Sequence, residues 1–147
     1  MVAEKMKLKI LAAIASDLAG HIDSLFEKIS EESRKDYSAQ QVIDGYEAVT
    51  KVKVPTEKSA HLNRTPRHVV DIHRAVVYIF YVLNCPFYAT FGIHEQLRRN
   101  KLDEISASLS INRRYIAYYI ISGRHHFKFY KDFKELVLQN LEYNGKV

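Results

Sequence analysis

The stretch RHVVDIHRAVVYIFYVLN, wound as a helix, is apolar on most of its circumference from Val69 to Leu83. A helix apolar nearly all round must be enclosed by other elements, so the rest of the chain has to supply a shell around it. Its ends are marked. Thr65 offers a capping hydroxyl and Pro66 suits the first helical position, while Asn84 and Pro86 close the far end.

The shell also reads as helices. Residues 4–33 place Leu8, Leu11, Ile14, Leu18, Ile22, Leu25 and Ile29 three and four apart, with charged residues between them. That seam has two readings: it packs on its own domain, or it pairs two copies as a short coiled coil. Ser38 followed by Gln41 is a capping-box pattern and predicts a second helix over about 39–49. Residues 1–50 therefore form an N-terminal helical extension and 51–64 a basic connecting loop, with the central domain over 65–147.

Within that domain YATFGIHEQLRRN predicts a short helix over about 88–99, with Arg98, Arg99 and Lys101 at its C-terminal end, where cations suit the helix dipole. In LDEISASLSINRRYIAYYI, Leu102, Ile105 and Leu109 mark one helix, with Asp103 and Glu104 in its first turn. Ser110-Ile111-Asn112 form a turn, with Asn112 placed to cap a second helix that buries Ile116, Tyr119 and Ile120 and stops at Gly123. A last helix carries Phe129, Phe133, Leu136, Val137 and Leu141. The fold class is all-α: a helical domain with a helix-turn-helix and an N-terminal amphipathic extension.

Several functions are excluded by the residues. Asn84, Pro86 and Gly92 interrupt the longest apolar run, which is too broken for a membrane span. MVAEKMKLKILAAIA has the outline of a leader, but Glu4 and the return of acidic residues at Asp17 and Asp23 argue for a cytoplasmic protein. Cys85 is the only cysteine and has no nucleophile signature around it, so it reads as a buried thiol. Of the seven His, His68 and His73 are five apart, His125 and His126 are adjacent, and no H-E-x-x-H occurs. We expect no metal, no cofactor and no catalytic residues: the chain does not read as an enzyme.

Charge is distributed unevenly. Residues 61–131 hold eleven Lys/Arg against four Asp/Glu, a net +7, while the segments on either side are each −1. A basic stretch is the footprint of a polyanionic partner, or simply a solvated surface. It coincides with the two-helix pattern, and a DNA-reading helix-turn-helix needs two short helices at a fixed angle, the head of the second meeting the bases. On that geometry Asn112, Arg113, Arg114, Tyr115 and Tyr118 face the major groove of double-stranded DNA, although Asn112 is better suited to capping its own helix. Arg98, Arg99, Lys101, Arg124 and Lys128 supply phosphate contacts.

From Leu102 to Phe133 the sequence resembles the C-terminal DNA-binding domain of the bacterial replication initiator DnaA and its phage-borne relatives. RAVVYIFYVL stands for the long helix of that domain, KLDEISASL for its first motif helix and YKDFKEL for its ending. The resemblance implies a helix-turn-helix fold and duplex DNA as partner. It does not carry over the family's target site: where the family has Arg-Asp-His-Thr-Thr, this chain has Ile111, Asn112, Arg113, Arg114 and Tyr115, and residues 86–100 lengthen a link the family keeps short. No GxxxxGK[ST] is present, so no ATPase module is expected. The competing reading is a helical interaction or structural protein that keeps such a fold without binding DNA.

Overall fold

The computed structural model describes residues 2–33, 35–57 and 65–145. The second half of the expected basic loop, 58–64, lies outside the described residues, as does the side chain of Ile29 in the expected seam. Among the described residues the chain is all-α, with seven helices and no strand: α1 (Val2–Ser33), α2 (Ala39–Thr50), α3 (Arg67–Asn84), α4 (Pro86–Phe91), α5 (Arg99–Leu109), α6 (Arg113–Phe129) and α7 (Lys131–Tyr143). No described helix is long and apolar enough to cross a membrane. The chain divides into two compact units, Met1–Lys35 and Asp36–Val147.

In the larger unit α3 is the buried centre, as the sequence predicts. Every residue from His73 to Leu83 is buried on it, and α2, α4, α6 and α7 pack against it. Its start differs in detail. Pro66, not Thr65, occupies the cap position; no side chain caps the helix, and the Pro66 carbonyl accepts from the amides of Val69 and Val70.

The domain edge also differs from the expected one. α2 belongs to the larger unit rather than to an extension, because Val42, Ile43 and Tyr46 bury one of its faces. Its N-terminus is capped as expected, the Ser38 Oγ accepting from the Gln41 amide at 3.1 Å. The Glu104 carboxylate of α5 accepts from the Ala39 amide at 3.0 Å, which ties the head of α2 to α5.

The helix expected over 88–99 is displaced. Pro86 opens α4 instead, and Gly92, at φ 68°, closes it by donating to the Tyr88 carbonyl. Residues 92–98 are not helical. They are pinned by Glu95, whose carbonyl accepts from the Tyr81 hydroxyl at 2.7 Å and whose carboxylate accepts from the Phe87 amide at 3.0 Å. Arg98 and Arg99 consequently stand at the start of α5, the opposite dipole end from the one expected, and Asp103 and Glu104 lie beyond its first turn.

Gly123 does not end α6, which continues to Phe129. It is a contact point with α3, where an added Cβ would lie 2.8 Å from the Tyr78 Cβ. Phe129, expected in the core, is exposed at the end of α6; Val137 and Leu141 of α7 are buried and Phe133 and Leu136 half-buried.

The smaller unit is α1. Met6, Leu8, Ile10, Leu11, Ile14, Leu18, Ile22 and Phe26 are all exposed on it, and Gly20 has open space around its Cα.

Candidate nucleic-acid interface

The turn between α5 and α6 is held by backbone and side-chain hydrogen bonds. Ser110 adopts φ 55°, the left-handed conformation in which glycine is the usual residue. The Ser110 amide donates to the Ala107 carbonyl and the Ile111 amide to that of Ser106, satisfying the last carbonyls of α5. The Ser106 hydroxyl donates to the Ile111 carbonyl, and the Ser110 hydroxyl donates to the Thr56 carbonyl at 2.6 Å. Asn112 then caps α6, its side-chain oxygen accepting from the Arg114 amide at 3.0 Å. Ile105, Leu109 and Ile116 are fully buried behind this turn, so α5 and α6 share one apolar seam.

With Ile116, Tyr119 and Ile120 turned into the core, the opposite side of the first two turns of α6 is left open. Asn112, Arg113, Arg114, Tyr115 and Tyr118 are all exposed there, on neighbouring positions of one helix. Arg113 has a half-exposed partner, the Asp103 carboxylate of α5 at 3.3 Å, which fixes its direction without burying it. The five groove residues expected from the sequence are thus brought together.

The expected phosphate contacts are scattered. Arg98 and Arg99 are exposed, but α5 is eleven residues long, which places them about 16 Å along it from the turn. Arg124 is half-buried, its guanidinium 5.1 Å from the centre of the Tyr88 ring. Lys128 is exposed near the far end of α6, over the Phe129 ring. Lys101 is a correction: it is buried, donates to the Tyr37 carbonyl at 3.0 Å, and pairs with Asp36 and Glu104. A cation so engaged fastens α5 to the segment before α2 and has no free direction toward a duplex.

Beside the head of α6 lies an open cleft of about 1360 Å³ whose other wall is the first half of α3; Arg67, Arg74, Asn112, Arg114, Tyr115 and Tyr118 line it. Arg67 and Arg74 do not stand out in the sequence because α3 reads as apolar nearly all round. The signal is present: Arg67, Asp71 and Arg74, at i, i+4 and i+7, share one helix face. Arg74 is held there by the Asp71 carboxylate at 2.9 Å and the Ser122 hydroxyl at 3.0 Å. His73, also on the cleft, is buried and kept neutral, since burial pushes its pKa below the ordinary histidine value; its Nε2 donates to the Pro55 carbonyl at 2.6 Å.

Burial pushes the Cys85 thiol up to about 12, far from a thiolate at neutral pH. Among the described residues no three of His, Cys, Asp and Glu gather as metal ligands. No protein-family model, curated protein or solved structure matches the chain.

Proposed function

We propose that this protein binds double-stranded DNA through the head of α6, as a regulatory or replication-associated protein working in the cytoplasm, that of the host if it is phage-encoded. The observation that carries the reading is the set of exposed Arg113, Arg114, Tyr115 and Tyr118 on a helix whose other face is locked into the core. Arginine can make paired hydrogen bonds to guanine or grip phosphate, and tyrosine can reach phosphate or lie against sugar. Arg98, Arg99 and Lys128 are exposed cations set apart from the head that could meet phosphate further along a duplex; Lys101, being buried, is not one of them. The likeness to the DnaA C-terminal domain supports the same reading. It includes a homodimer joined through α1, which would offer two such heads to one duplex.

Fluorescence anisotropy with a random duplex across a salt series tests it. Wild-type affinity should fall steeply as salt rises, and the slope should flatten in Arg113→Ala/Arg114→Ala by about two counterions. Absence of binding at low salt refutes the reading.

One observation favours a protein-interaction role instead. Tyr118, Ile121, His125 and Phe129 form an exposed aromatic and apolar ridge along α6, and duplex backbone offers such a ridge little. If Ile121→Ser/Phe129→Ser leaves DNA affinity unchanged while the head variant weakens it, the ridge is separate from DNA binding.

A further inference from the structure

α1 is charged against its own dipole. Lys5, Lys7 and Lys9 lie near its N-terminus, where the helix is already positive; Asp23, Glu27 and Glu31 approach its C-terminus, where it is negative. From Val2 to Ser16 the net charge is +2, and from Asp17 to Ser33 it is −4. Of this pattern only Glu4, in the first turn, and Lys28 suit the dipole. A helix so arranged is weakened in isolation, and its seam from Leu8 to Ile22 is exposed as well. Both defects are removed by one partner, a helix of the same length with the opposite polarity.

We infer that two copies of the chain pair through α1 in antiparallel orientation. This rests on the homodimer part of the reading above and on none of its DNA part. Six of the seam positions then meet one another: Leu8 against the partner's Leu25, Leu11 against the partner's Ile22, and Ile14 against the partner's Leu18, with the same contacts repeated in mirror order. The seam spacing averages the three-and-four alternation of a coiled coil, which either orientation could use. Charge decides between them. A parallel in-register pair stacks +2 on +2 and −4 on −4, whereas the antiparallel pair sets each basic end beside an acidic one. It also sets the two helix dipoles head to tail. Opposite-charge alignment of this kind selects partner and orientation more than it adds affinity.

The test uses the full chain. Sedimentation equilibrium should show a dimer for wild type, and Leu18→Glu, at the centre of the seam, should weaken dimerisation by more than about tenfold. Orientation is read by disulfide trapping with Leu8→Cys and Leu25→Cys chains, one of them carrying a mass tag; wild type, with its single cysteine buried, is the blank. Mixed chains should cross-link to each other, and Leu8→Cys alone should not cross-link to itself, because the two copies of position 8 lie about 25 Å apart along an antiparallel pair. Self-linking of Leu8→Cys with a dimer in the centrifuge would overturn the orientation and leave the homodimer standing. A monomer at all concentrations would overturn both. A monomer that binds vesicles of anionic lipid would overturn the pairing as well, and would assign the seam to a membrane surface instead.

Discussion

Gly123 of α6 and Tyr78 of α3 approach so closely that a methyl group on the glycine would sit 2.8 Å from the tyrosine Cβ and 2.9 Å from its ring. The tyrosine is buried and cannot swing aside freely, since its hydroxyl is 2.7 Å from that of Tyr88 and its ring packs against Phe127 and Phe133. Gly123→Ala gains about 1 kcal/mol of helix propensity but should lose about 1–3 kcal/mol to overpacking. We expect a lower melting temperature by circular dichroism. A higher one would mean that the two helices separate at little cost.

Lys101 distinguishes a fastening role from a ligand role. Lys101→Met leaves the Tyr37 carbonyl without its donor and should destabilise the fold by about 1–3 kcal/mol in urea titrations. On the proposed DNA-binding reading, duplex affinity per folded molecule should stay at the wild-type level, while Arg98→Ala should do the reverse, keeping stability and lowering the salt slope. Loss of affinity in a fully folded Lys101→Met would return that lysine to the interface.

His73 makes stability depend on pH. Its folded pKa lies below the ordinary 6.5, so the unfolded chain takes up the proton first as pH falls. The stability it contributes is complete above 6.5, and is lost on acidification from there down to the lowered folded value. Melting curves at pH 7.5 and 5.5 should therefore differ more for wild type than for His73→Leu. Equal pH sensitivity in the two would locate the effect elsewhere.

At Ser110 two terms oppose each other. The left-handed backbone costs a non-glycine residue about 1–2 kcal/mol, and the hydroxyl bond to the Thr56 carbonyl returns about 0.5–1.5 kcal/mol. Ser110→Ala keeps the strain and loses the bond, so it should destabilise by about 1 kcal/mol. Ser110→Gly loses both and should lie near wild type. If the two variants melted together, the hydroxyl alone would account for the loss and the backbone would contribute nothing.

These positions also mark where the sequence is legible. Periodicity announces α3 because a nearly all-apolar helix has only one place to go, and Ser38 and Asn112 announce the heads of α2 and α6 because capping is local chemistry. The break between α4 and α5 is hidden: the pattern from Tyr88 to Asn100 is helical enough, but Glu95 is held by the Tyr81 hydroxyl of α3 and the Phe87 amide at the start of α4. Gly123 misleads for the same reason. A glycine that stops a helix and one that admits a neighbour look alike until the neighbour is in place. The head of α6 is legible residue by residue, whereas its facing wall, with Arg67 and Arg74, is masked by the apolar bulk of α3. Lys101 passes for a surface cation because nothing nearby in sequence discloses the Tyr37 carbonyl.

The position of α3 has a consequence in time as well as in space. Because α2, α4, α6 and α7 all rest on it, its buried amides can meet water only when several of those contacts open together. In hydrogen–deuterium exchange the middle of α3 should be the last part of the molecule to label, at the rate of global unfolding, while residues 92–98 label early. A ligand that grips only the head of α6 would therefore be recorded by the slow clock of a helix largely beneath the surface.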